Sequence, residues 1–157
     1  MLNKLYKKID DFFDKARNSQ PNTLVCKAGC FQCCEVDLSV FSVEAQRIQK
    51  AFSQLPREQK TEIQNRACNE QFCVMLNPQT KLCQIYHDRP LICRSHGLAM
   101  IIEKELKHCH LTYQEESAKK EHILNIERIN EPLAIIDHIN GGEGKRIRLA
   151  DLVRSEK

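Results

Sequence analysis

Cys26-Lys27-Ala28-Gly29-Cys30-Phe31-Gln32-Cys33-Cys34 packs four of the chain's nine cysteines into one short run. Thiolate sulfur is a soft donor that selects zinc, copper(I) or iron–sulfur clusters over magnesium or calcium, so thiols at this density imply a soft-metal centre. If residues 26–34 were helical, an advance of about 100° per residue would turn Cys26, Cys30, Cys33 and Cys34 to one side. Gly29 weakens a helix, and a loop folding tightly at Gly29 would converge the same thiols, their sulfurs accepting main-chain N–H bonds. Both conformations stay open at this point, and in either one the ligands are local.

Disulfides are the competing use of so many cysteines. Residues 1–15 contain neither an uninterrupted apolar stretch nor a small-residue cleavage site, so the expectation is a cytoplasmic chain in a reducing compartment. There, closely spaced cysteines point to metal or catalysis, and an odd count cannot pair completely. No apolar run reaches membrane-spanning length.

Composition fits a small soluble protein of 157 residues with a modest core: no Trp, six Phe, three Tyr and 29% charged residues. A metal that ties distant segments together would add stability to such a core. The net charge of +3 is too small, and too evenly spread, to argue for nucleic acid. Lys145 to Arg148, the one local basic patch, reads as surface. With five glycines in the chain, no nucleophile elbow, phosphate loop or dinucleotide loop is present. Cysteine nucleophilic catalysis would need one activated thiolate with a base, not a crowd of thiols.

Outward from the cysteine run, the pattern is mainly helical. Leu2, Leu5, Tyr6, Ile9, Phe12, Phe13 and Ala16 recur at steps of three and four, which predicts an amphipathic helix over 2–18. Ser42 is placed to cap a helix carrying Ile48, Ala51, Phe52 and Leu55, and Pro56 to start a polar helix bearing Ile63 and Ala67. Both read as cover for the cysteine segment. Residues 73–98 are rich in turn signals, with Cys73, Cys83 and Cys93 spaced by ten, and read as a loop-rich metal region. Residues 98–102 and 106–113 flank Glu103-Lys104-Glu105 and suit a hairpin, with a helix almost as good a fit. Residues 117–130 and 131–139 predict two helices, the second with Pro132 in its first turn. Gly141-Gly142-Glu143-Gly144 then breaks the chain before a last short helical turn bearing Leu149, Leu152 and Val153. The expectation is a mainly α fold with a small irregular or β-hairpin part: one compact helical domain over 1–157, stapled by a cysteine-ligated metal centre in a core of about 24–113.

Structural zinc sites usually take ligands as C-x2-C pairs from two separate knuckles, whereas C-x3-C-x2-C-C offers three or four from one segment, closer to cluster-binding runs. An iron–sulfur cluster, of the 4Fe–4S type, is therefore favoured over zinc. Cys26, Cys30 and Cys33 also share the spacing of the radical S-adenosylmethionine triad, but this short chain has no partial barrel to accompany it.

The string Cys26-x3-Cys30-x2-Cys33-Cys34, then Cys73, then Cys83-x2-Tyr86-x2-Arg89-Pro90-x2-Cys93-Arg94, and later Cys109, resembles the YkgJ-like cysteine-cluster family, whose name proposes zinc or iron chelation. The match covers residues 26–109. The cysteine motif is similar to that of flagellin lysine N-methylases, which implies a cluster used with methyl transfer in chains far longer than this one. The resemblance implies Cys26, Cys30, Cys33, Cys34, Cys73, Cys83, Cys93 and Cys109 as ligands, with Cys26, Cys30 and Cys33 foremost, and leaves Cys68 as an extra, buried apolar thiol. Eight thiols exceed the four that one cubane or zinc takes, so either two centres exist or some of the eight only surround one. Tyr86, Arg89 and Arg94 stand beside the ligands. The arginines would bond sulfur or offset its charge, or else form ordinary salt bridges, for example with Asp88, and Tyr86 would fill the core. His108 and His110 flank Cys109 and could add metal ligands, but they read first as surface residues.

Three functions follow: a metal-binding protein with a structural, redox or delivery role and a protein or redox partner; a methyltransferase-like enzyme; or a zinc-stapled interaction module.

Overall fold

The computed structural model describes residues 1–36, 38–67 and 72–154, so Cys68 lies outside the described residues. In chain order the elements are α1 (Leu2–Ser19), β1 (Ser39–Phe41), α2 (Ser42–Ser53), α3 (Arg57–Arg66), α4 (Leu91–Ser95), β2 (Met100–Ile102), β3 (Glu105–Lys107), β4 (Leu124–Asn125), α5 (Ile126–Ile139), β5 (Arg146–Arg148) and α6 (Leu149–Val153). Single 3-10 turns lie at Gln32–Cys34, Tyr86–Asp88 and Lys120–His122. Helix predominates, as expected. None of these helices is long and apolar enough to cross a membrane. The chain gathers into two compact units, Met1–Lys27 with Leu91–Ile136, and Ala28–Pro90 with Asp137–Lys157.

In the first unit α1 follows its apolar stripe, burying Tyr6, Ile9 and Ala16, and packs on α4. Arg94 of α4 is buried there, its Nη1 2.7 Å from Asp10 Oδ2 and its guanidinium 4.3 Å from the centre of the Tyr6 ring. The hairpin forms: β2 and β3 pair antiparallel, Ile102 opposite Glu105, around Glu103 and Lys104 at φ 51° and 67°. Left-handed backbone at both turn residues is the geometry of a tight two-residue hairpin.

The helix predicted over 117–130 is corrected. Residues 117–119 are drawn into extended chain by the buried Gln20 amide, which donates to Ser117 O and accepts from Lys119 N. Leu124 N then bonds Ala99 O as β4 joins β2 in parallel. These backbone groups are spent on tertiary partners that periodicity does not reveal. Pro132 is also corrected: it lies inside α5, not in its first turn, because Asn125 Oδ1 accepts from Arg128 N and starts the helix earlier.

In the second unit β1 pairs antiparallel with β5, Val40 opposite Ile147. The core holds Val40, Ile48, Ile63, Ala67, Met75, Leu149 and Val153, with Ala51, Phe52 and Leu55 packed on it. Burying each large aliphatic side chain here stabilises by about 1.5–3 kcal/mol. Ser42 is not the cap of α2 but its first residue, and no side chain at Phe41 caps the helix. Its first turn is satisfied from elsewhere: Asp137 Oδ1 accepts from Ser42 Oγ at 2.7 Å and from Val43 N at 2.8 Å. Pro56 caps α3 from just outside it, and Ile63 is the buried residue of that helix.

Candidate metal centre

The cysteine run is a loop. Gly29 has φ +90°, outside the right-handed helical region, and only Gln32–Cys34 closes a 3-10 turn, with Cys34 N 2.7 Å from Phe31 O. The helical arc therefore does not form, and the loop is tied instead by a tertiary backbone bond to residue 73.

The segment that meets this loop is a chain reversal over residues 73–84. Asn77 Oδ1 accepts from the N–H groups of Gln79 and Thr80, an Asx-type turn, and Lys81 N bonds Asn77 O. The arms are laced by Asn77 N to Leu82 O at 2.9 Å and Gln84 N to Met75 O at 2.8 Å. Leu76 and Cys83 form an antiparallel bridge. Cys73 and Cys83 thus sit on opposite arms of one hairpin, and Cys73 N donates to Cys34 O at 2.7 Å. Cys73 is buried in the core cluster, and Cys34 and Cys83 pack against it. Ile48 of α2 and Ile63 of α3 belong to the same cluster as Cys73.

The hydrogen bond shared with Cys34, together with burial, pushes the Cys33 thiol well above its ordinary range, against the pull of the Arg89 charge. Burial raises the Cys83 thiol, opposed by the Ile85 backbone and by Arg89. Both are protonated near neutral pH, so a metal ion binding them displaces protons. Arg89, stacked 4.0 Å over the Tyr86 ring, is a cation acting on two thiols at once. The preceding Asp88 is engaged by Arg47 at 2.8 Å, which anchors this turn to α2.

All eight described cysteines are thiols, not disulfides. The donors are soft sulfurs of the kind zinc or iron takes: Cys34 and Cys83 pack against the cluster that holds Cys73, and Cys33 shares a hydrogen bond with Cys34. Among the described residues no three Cys, His, Asp or Glu side chains are set to hold an ion as they stand.

The model of a family named CxxCxxCC and described as "Putative zinc- or iron-chelating domain" matches residues 25–126. The chain belongs to this family. No curated protein and no solved structure matches it. The chelating domain's name spells two residues between its first cysteines, whereas this chain has three between Cys26 and Cys30, and Gly29 is among them.

Of the eight expected ligands, five fall in the second unit and three in the first. Cys30 is half-buried on the loop before Cys33. In the first unit, Cys26 Sγ lies 3.5 Å from His96 O, opposite Gly97, where an added Cβ would stand 2.6 Å from Cys26 Cβ. Cys93 is carried by α4. The carbonyl of Cys109 accepts from Thr112 N and Oγ1, both at 2.9 Å, in a local turn, and His108 and His110 are exposed. The arginines separate: the Arg89 charge acts on the Cys33 and Cys83 thiols, while Arg94 pairs with Asp10, not with Asp88. Tyr86 is half-buried beneath Arg89 and not a core residue.

Sequence reasoning missed two residues. Arg66 bonds the 73–84 hairpin, and Asp137 holds the start of α2. Neither belongs to a recognisable string.

Proposed function

We propose that this chelating domain holds an iron–sulfur cluster on thiolates of its second unit, drawn from Cys33, Cys34, Cys73 and Cys83, with Cys30 the remaining candidate. The observation that carries this is the Cys73 N to Cys34 O bond, which ties the cysteine loop to the hairpin bearing Cys73 and Cys83. When bound, such a cluster supplies one-electron transfer. The chain's own residues supply the rest. The loop and hairpin present the sulfurs, α2 and α3 keep water from the buried side, and Arg89 offsets the negative charge of the thiolates. Cys30, Cys33, Cys34 and Cys83 are only half-buried, which keeps the centre near the surface, where a redox partner can exchange electrons.

Zinc is the second reading, favoured by one observation: the gathered thiols come as pairs, Cys33 and Cys34 from one segment, Cys73 and Cys83 from another, as in two-knuckle zinc sites. The metal would then be a structural staple. The test is metal content after anaerobic purification of Cys33→Ser, Cys73→Ser and Cys83→Ser. Each is expected to lose most of the parent's iron or zinc. Parental metal content in all three would refute the assignment.

A further inference from the structure

Arg66 closes α3 and points its side chain at the hairpin. Its Nη2 donates to Val74 O at 3.2 Å and to Gln84 Oε1 at 2.6 Å. Val74 immediately follows Cys73, and Gln84 immediately follows Cys83, so one nitrogen grips the chain just beyond both cysteines. Burial holds the guanidinium somewhat below its ordinary range, while Glu62, one turn back at 3.9 Å, and the nearby Cys73 act on it in the opposite direction. Its Nε–H is buried and has no hydrogen-bond partner. An unpaired buried donor is costly, and sulfur is an acceptor that would satisfy it.

We propose that Arg66 is a positioning residue for the metal centre: Nη2 fixes both arms of the hairpin behind Cys73 and Cys83, and the unpartnered Nε–H is available as a donor to a sulfur of the centre. This rests on the centre proposed above.

Cobalt(II) is the probe, added anaerobically to the full reduced chain and followed by its sulfur-to-cobalt charge-transfer absorption. Arg66→Met is expected to bind cobalt about 10–100-fold more weakly, the usual effect of losing a residue that supports a ligand. Its band is expected to move to longer wavelength, because removing a neighbouring cation raises the energy of the sulfur electrons. Arg66→Lys, which keeps the charge but not the fork, should hold the parent's band position while binding several-fold more weakly. Parental affinity and band in Arg66→Met, or weaker binding with an unmoved band, would overturn the proposal. If Arg66→Met does not fold, Arg66→Lys decides alone, parental affinity being the refuting result. Cys73→Ser separates the two claims: parental cobalt binding in that variant defeats the metal centre itself, whatever Arg66 does.

Discussion

Asp137 is fully buried, yet its carboxyl titrates below the usual carboxylate range: burial pushes it up, but bonds from Ser42, Val43 and Gly144 outweigh that. A Cβ on Gly142 would collide with the same carboxylate. Asp137→Asn should cost about 2–3 kcal/mol, measured by urea unfolding at pH 7, because it leaves buried donors poorly matched. The sign with pH follows from the depressed value. The stabilisation is present above the unfolded carboxyl pKa of about 3.9 and is lost as pH falls through the lower folded value. The asparagine variant should therefore show a shallower loss of stability on acidification than the parent. Gly97 carries a second residue-level expectation: at φ +102°, with Cys26 against it, Gly97→Ala should lose about 2–4 kcal/mol by the same assay. None of this was legible in the sequence. Ser42 and Asp137 are 95 positions apart, and a lone Asp near a glycine cluster carries no sign of its partners. The cysteines themselves were legible because their spacing is local.

Elements were readable where one face decides them. The stripes of α1 and α2 each bury one continuous apolar face, so a period of three to four residues is enough to find them. The 117–125 segment was not readable, since Gln20 and Ala99 claim its backbone groups from distant positions. The β2–β3 turn lies between these cases: charged residues mark it, but Glu103 and Lys104 are poor choices for left-handed backbone. Replacing the pair with Asn-Gly should stabilise the chain by about 1 kcal/mol, seen as a higher melting temperature with unchanged helix content. At the start of α5, Asn125→Ala should cost about 1 kcal/mol through loss of its bond to Arg128 N.

At the scale of the molecule, the metal is expected to be part of the fold. The thiols are contributed by segments on either side of α2 and α3, so a bound metal would cross-link stretches separated by some forty residues. At about a thousand-fold saturation such a ligand stabilises by about 4 kcal/mol, and its removal by a strong chelator under reducing conditions should lower the melting temperature by about 10 °C. The family and its soft-metal chemistry could be read from the cysteine string. What could not be read was the partition, because the run over 26–34 looks like one donor set, while its first cysteine and the other three fall in different units. The direct test is the iron, zinc and acid-labile sulfide content of the anaerobically purified parent chain. The account predicts about four iron with four sulfide per chain, or about one zinc without sulfide on the second reading; protein that folds fully with only traces of either metal would contradict it.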